Sequence, residues 1–204
     1  MNDARTQQVV YTVGHSNISE EAFVALLKAN CIDVLVDVRS APYSKYVPHF
    51  NGDVLKKSVI AAGIKYLYMG SELGGRPREP EFYDVGGHVR YDLIAQSPAF
   101  REGIERVLRG VQEHRVVLMC NEENPRECHR RLLVGRVLAE RGVTVLHIRG
   151  DGRVQPEAES AAEERKNAPA EVQQEFAFVA REKPEWKSTR SVPQARAPKP
   201  SSGR

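Results

Sequence analysis

The sequence predicts an α/β fold: a single three-layer domain with a mainly parallel sheet of about five strands, helices on both faces, and a disordered C-terminal tail. Three observations carry this. Short apolar, β-branched runs recur at Gln8–Val13, Ile32–Val38, Ile64–Met69, Val116–Cys120 and Val143–Ile148. The intervening stretches place apolar residues at helical spacing. Ile32–Val38 is almost continuously apolar, as suits a parallel strand covered on both faces.

In chain order, Gln8–Val13 runs into Gly14-His15-Ser16-Asn17. Asn17 with Glu20 forms a capping-box pattern for a helix that turns Phe23, Leu26 and Leu27 inward and ends near Asn30. The second strand ends in Asp37-Val38-Arg39-Ser40, and a proline-punctuated loop leads to Asn51. That residue can cap a helix from Asp53 to Ala62, with Leu55, Val59 and Ile60 inward and Gly63 as the stop. Gly70–Arg90, with five glycines and two prolines, is a long loop; loops of that length in compact domains are commonly functional. Tyr91–Gln96 can be a short helix. Ser97-Pro98 is a good start for the next, since the serine can cap and proline suits the first helical position. The Cys120 strand follows, then a helix through Leu132, Leu133, Val137 and Leu138, stopped by Gly142 ahead of the last strand.

This places one α/β domain at residues 1–150. Residues 151–204 hold six of the twelve prolines and few large apolar side chains, which reads as a largely disordered, weakly basic tail. Within it, Ala170–Arg181 has the spacing of one amphipathic helix. From Lys187 onward there are five basic residues and no acid, so the tail can touch nucleic acid or acidic partners.

With 204 residues, 41% apolar and 28% charged, the chain has the composition of a globular protein, and a net charge of +3 does not by itself argue for nucleic acid or membrane. No run approaches the length of a transmembrane span. The amino-terminal residues show no apolar signal segment, so a cytoplasmic location and no membrane partner are expected. Three cysteines argue against a disulfide framework and leave thiol chemistry, metal binding or packing.

The chemistry concentrates in Val116–Arg131, VVLMCNEENPRECHRR. A buried strand ends at Cys120, a polar loop follows, and Cys128-His129-Arg130-Arg131 opens a helix. Carboxyl ends of parallel strands are where open α/β sheets put ligands. Cys128 in a first helical turn faces unpaired N–H groups that lower a thiol pKa, with His129 beside it; Cys120 sits in a strand-end position but next to Glu122 and Glu123, which oppose ionisation. His15, after the first strand, and Arg39 and Ser40, after the second, share the same rim. Gly74, Gly75 and Arg76 can bring backbone and a guanidinium to an anion. Arg39, Arg76, Arg130 and Arg131 together suit a phosphate, carboxylate or sulfur oxyanion, and Tyr43, Tyr83 and Tyr91 can wall such a pocket. Asp37 with Arg39 reads as a structural ion pair. Cys120, Cys128 and His129, with His15 as a fourth ligand, form a zinc-type or iron-type donor set, although the C-x7-C-H spacing matches no common zinc motif and adjacent ligands are awkward on one helix.

The segments TVGHSN, LVDVRSAPYSKYVPHFN, GIKYLYMGSELGGRP, YDLIAQSPAF and LMCNEENPRECHRR, with the closing HI, resemble the family known as domain of unknown function 488. The resemblance runs from about Val9 to Gly150 and implies a shared α/β fold and a shared site. A looser resemblance is to the rhodanese layout, in which a VDVR strand precedes a strand ending in the catalytic cysteine. Cys120 takes that place, while its acidic loop departs from the short, glycine-bearing, electropositive rhodanese loop.

Three functions follow, in this order. The first is an enzyme using Cys128, with His129 or His15, on an anionic small molecule or nucleotide, in thiol-dependent transfer or hydrolysis. In it Cys120 and Glu122 assist, and Arg39, Ser40, Gly74, Gly75, Arg76, Arg130 and Tyr91 bind substrate. The second is a phosphate-recognising module for nucleic acid or a protein. The third is a structural or catalytic metal site.

Overall fold

The computed structural model describes residues 8–166 and 185–192. The expected helix at 170–181 and most of the basic tail lie outside these residues. The sheet has the order β3-β2-β4-β1-β5-β6, formed by β1 (Val9–Gly14), β2 (Val34–Asp37), β3 (Lys65–Tyr68), β4 (Val116–Cys120), β5 (Thr144–Ile148) and β6 (Val154–Pro156). The first five are parallel; β6 joins β5 antiparallel.

Alternation along the strands sorts the core onto two faces. Tyr11, Val13, Leu35, Val117 and Met119 meet Phe23 and Leu27 of α1 (Glu20–Ala29) and Leu55 and Val59 of α2 (Gly52–Ala61). Val10, Val36, Leu118 and Cys120 face the other way. There they meet Leu73 of the single-turn α3 (Gly70–Leu73) and Tyr91 of α4 (Tyr91–Ile94). Phe100, Ile104 and Val107 of α5 (Pro98–Glu113) complete that face with Leu138 of α6 (Arg136–Glu140). Each fully buried large side chain contributes roughly 2 kcal/mol of transfer free energy, so both layers are needed to hold the sheet.

The helix that follows β1 packs on one face and the helix that follows β4 on the other. Adjacent strands whose connections diverge leave a crevice at their carboxyl ends. Here β1 and β4 are those strands, with Gly14 opposite Cys120.

Local details differ from the sequence expectations for physical reasons. Ser16 adopts a left-handed conformation, φ 47°, so the chain turns at Ser16-Asn17 and the cap moves on: Ser19 Oγ accepts from Ala22 N at 3.2 Å. Asn51 occupies the cap position of α2, but its side chain accepts from Ser44 N at 2.7 Å and so ties the preceding loop instead. Ile60 is exposed rather than inward, because α2 buries only Leu55 and Val59. Ser97 caps α5 as expected, accepting from Phe100 N.

Order also continues past residue 150. Hydrogen bonding of β6 to the β5 edge satisfies that edge, and α7 (Glu157–Lys166) follows it. Residues 185–192 lie against the domain: Trp186 Nε1–H donates to Leu132 O at 2.8 Å, and Ser188 N–H donates to Val89 O at 2.9 Å. A tail reading that starts at 151 therefore begins too early; few large apolar residues are needed where backbone pairing and one tryptophan do the anchoring. Among the described residues no helix is long and apolar enough to cross a membrane.

Candidate functional site

Between β4 and α6 the chain makes a polar loop, a short turn of 3-10 helix at Pro125–Glu127, and a π-helical turn at Arg130–Gly135. Asn124 caps the first of these through Arg126 N, and Pro125 starts it. Cys128 then takes an extended conformation, φ −120° and ψ 136°, and His129 opens the next helical run. The two neighbours thus do not share one helix. Extended geometry at Cys128 lets its thiol and the His129 ring converge on the same point, which removes the objection that adjacent ligands are awkward.

Cys120 Sγ lies 3.2 Å and Cys128 Sγ 3.1 Å from Glu122 Oε2. His129 Nδ1 is 3.6 Å from Cys120 Sγ and 4.0 Å from Cys128 Sγ. The other ring nitrogen, Nε2, is 3.0 Å from the Val38 carbonyl at the end of β2 and donates to it. Both cysteines are buried, and His129 and Glu122 are half-buried. Gly75 makes the arrangement possible: a Cβ there would lie 2.4 Å from His129 Cγ. Gly14 does the same on the other side, since a Cβ would fall inside contact distance of the Glu122 carbonyl.

The electrostatics of the cluster are polarised. Cys120 holds its proton well above the usual thiol range, because its S–H is committed to Cys128 and burial penalises its anion. Cys128 is driven the other way: burial opposes its ionisation, but the bond from Cys120, the Arg130 charge and His129 outweigh it. Burial would lower His129, yet its contact with the Cys128 sulfur and the nearby Glu122 raise it. Glu122 is raised by burial and by Cys128. The expected depression of Cys128 is thus found, with neighbouring side chains rather than a helix terminus as its cause.

Beside the cluster is a cavity of about 60 Å³ whose wall contains Cys120, Glu122 and His129, together with Arg39, Ser40, Gly75 and Arg76. Asn121 and Ala41 complete it. Arg39 is nearly fully buried and fixed by Asp37, through Nε at 2.9 Å and Nη2 at 2.6 Å. Tyr66 donates to the same carboxylate at 2.8 Å. The Asp37–Arg39 pair is structural, as expected, and it holds Arg39 in the wall. Ser40 Oγ accepts from Arg76 N at 2.9 Å and sets the loop that carries the exposed Arg76.

Several expected site residues stand elsewhere. Cys128 lies behind the wall rather than in it. His15 is stacked on Phe50 at 4.1 Å and bonded to Ser16 O, with Nε2 3.2 Å from Arg39 Nη1 and 2.9 Å from the Asn121 side-chain oxygen. Burial and Arg39 bring it down to about 4, so it stays neutral and braces Arg39; it is not the fourth donor of the sulfur cluster.

Arg130 is completely buried, which corrects its assignment to substrate. Nη1 and Nη2 donate to the carbonyls of Glu122 and Glu123, the latter at 2.7 Å, and Nε donates to Thr12. It is a clamp on the loop. Arg131 is paired with Glu157 at 2.9 Å, away from the cavity. Gly74 packs on Ser40, behind the wall. Tyr91 is buried close enough to feel both cysteines, and burial followed by their charges raises its phenol; it is outside the wall, as are the exposed Tyr43 and the half-buried Tyr83, whose hydroxyl donates to Pro77 O.

Asn121 was not singled out from the sequence, although an amide directly after a strand-end cysteine is a usable signal. The Thr12–His147–Glu157 chain was also missed; its members lie far apart in sequence.

The segment from α1 to α6 thus contains the whole sulfur cluster and both wall arginines. A family model matches residues 19–137, from the start of α1 to the beginning of α6, and its description is domain of unknown function. The chain belongs to the DUF488 family. No curated protein and no solved structure matches it. Within this DUF488 chain the matched residues include Arg39, Arg76, Cys120, Glu122, Cys128 and His129, while His15, His147 and Glu157 lie outside them.

Proposed function

We propose that this DUF488 protein is an enzyme performing group transfer or hydrolysis on a small anionic substrate at the carboxyl ends of β1, β2 and β4. The observation that carries the reading is the small cavity in which Arg39 and Arg76 face Cys120, Glu122 and His129. Guanidinium groups recognise phosphate, carboxylate or sulfur oxyanions; Arg39 offers the N–H groups that Asp37 and His15 leave over, and the exposed Arg76 offers its whole head. The space, about 60 Å³, is on the scale of a terminal oxyanion group. A nucleotide or other larger substrate would leave its remainder at the surface, near Arg76.

In this reading Arg39 and Arg76 hold the anion, and Glu122, with its raised affinity for a proton, gives or takes one during the reaction. His129 and the two cysteines form the reactive centre, with Cys128 acting from behind Cys120. Persulfide chemistry of the rhodanese kind is not part of the proposal, because the loop after Cys120 carries Glu122 and Glu123 and no glycine, unlike the electropositive cradle of that layout. Closely spaced unbridged thiols suit a reducing compartment, so we place the protein in the cytoplasm.

The test is binding of inorganic phosphate and sulfate, followed by turnover of a panel of anionic esters. Arg76→Ala removes an exposed side chain and leaves the core intact. It is expected to weaken phosphate binding about tenfold, the loss of one charge-assisted hydrogen bond, and Glu122→Gln to abolish turnover. Phosphate affinity indifferent to Arg76→Ala, or equal turnover in Glu122→Gln, overturns the reading. Binding of single-stranded nucleic acid without turnover would instead favour a recognition module.

A further inference from the structure

The sulfur cluster has the shape of a coordination polyhedron. Zinc bonds to sulfur at about 2.3 Å and to nitrogen or oxygen at about 2.0–2.2 Å; at tetrahedral angles this sets ligand–ligand edges of about 3.3–3.8 Å. Four of the six edges here are 3.1 Å (Glu122 Oε2 to Cys128 Sγ), 3.2 Å (Glu122 Oε2 to Cys120 Sγ), 3.6 Å (Cys120 Sγ to His129 Nδ1) and 4.0 Å (Cys128 Sγ to His129 Nδ1). Cys120, Cys128 and His129 present their donor atoms within 4.8 Å of one another. We propose that Cys120, Cys128 and His129, with Glu122 in the fourth place, hold one zinc-class divalent ion.

Two further features support an ion over a packing cluster. A histidine that ligates a metal characteristically donates its other ring N–H to a backbone carbonyl or carboxylate, which fixes the tautomer and aims the lone pair. His129 does this with Val38 O, and Gly75 closes on the ring so that it cannot rotate freely. Charge is also matched: two thiolates and a carboxylate exceed a divalent ion, and the buried Arg130, anchored on the carbonyls of Glu122 and Glu123, supplies compensating positive charge. Thiolate with imidazole selects zinc over magnesium, calcium or manganese.

The fourth position faces the cavity: Glu122 borders it together with Cys120 and His129, and of these three donors the carboxylate oxygen is the one that gives way in an open zinc site of two thiolates and an imidazole. Glu122 is therefore the ligand that a substrate oxyanion or water displaces. The ion itself stands on the cluster; its service as the electrophile for an anion rests on the function proposed above.

The test uses the full chain, expressed without a metal-affinity tag, reduced, stripped of metal and titrated with cobalt(II). One equivalent is expected to give a thiolate-to-cobalt charge-transfer band and the intense visible bands of a tetrahedral ion, both erased by zinc(II). Cys120→Ser and Cys128→Ser are expected to lose charge-transfer intensity and at least about tenfold in cobalt affinity, and Glu122→Gln to shift the visible bands while retaining the charge-transfer band.

A folded wild-type chain with no charge-transfer band overturns the proposal, as does undiminished affinity in Cys128→Ser. The wild-type result decides even if a variant fails to fold. Cobalt binding with no phosphate binding would leave the ion in place and sink the substrate reading; phosphate binding with no cobalt band would do the reverse.

Discussion

His129 lies by the ends of β4 and β2 and His147 lies on β5, and Arg130 touches the surroundings of both. His147 is fully buried on β5. Its Nδ1 lies 2.8 Å from Thr12 Oγ1 and its Nε2 2.7 Å from Glu157 Oε2. The polar chain is closed: Arg130 donates to Thr12, Thr12 to His147, and His147 to Glu157, which also holds Arg131. At His129 only one nitrogen is tied to an oxygen. The other looks at two sulfurs, beside a cavity. The first ring is a strut with both ends used; the second has a lone pair aimed where chemistry can occur. The partner of the second nitrogen separates them.

The largest expected effect comes from the residue common to both regions. Arg130→Met leaves the Glu122 and Glu123 carbonyls and Thr12 without their donor in a buried setting. Breaking a buried charged network of this kind costs about 4 kcal/mol. Urea denaturation should show that loss in the midpoint with an unchanged m-value, and Arg130→Lys should recover only part of it. A loss near 0.5 kcal/mol or less, the ordinary surface range, would mean the two regions are not joined through this side chain.

A change at Gly75 should separate them. In Gly75→Ala the new methyl would meet the His129 ring, so cobalt affinity is expected to fall about tenfold, the scale of disturbed outer-shell support. The His147 ring resonances should stay where they are. If both rings shift together, the comparison fails.

The smallest effect is a pH dependence. Burial holds His147 below its ordinary value of 6.5, despite Glu157. A histidine depressed in the fold contributes stability that is full above the unfolded value and lost as pH falls below it. Stability should therefore decline on acidification from about pH 6.5, and His147→Gln should reduce that slope. Some slope should persist, because His15, at about 4, titrates in the same window. An unaltered slope in His147→Gln, read from denaturation at several pH values, would remove His147 from the account.

Much of this was legible before any coordinates. Apolar runs placed all five parallel strands, and the strand-end rule brought Cys120, Cys128, His129, Arg39 and Arg76 to one rim. What was not legible depends on direction. Arg130 lies next to a histidine and a cysteine, so its type suggests an anion ligand; only the position of two loop carbonyls reveals a clamp. Asn124-Pro125 did carry a signal, a cap followed by proline at a helix start, and it would have predicted the separate short turn that leaves Cys128 extended. The Gly14–Glu122 approach and the Thr12–His147–Glu157 chain depend on strand order, which apolar periodicity does not encode.

The central position of β1 has a consequence for how the chain is made. Its only neighbours are β4 and β5, which pair Val10 with Val116 and with Val145. On a ribosome the first strand of the sheet must therefore wait, apolar and unpaired, while the whole of α1 through α5 emerges. Local helices can form at once, but the sheet closes around β1 only when its last parallel strand has left the tunnel. A nascent chain halted short of Ile148 would pair β1 with β4 but leave its β5 edge open to chaperones.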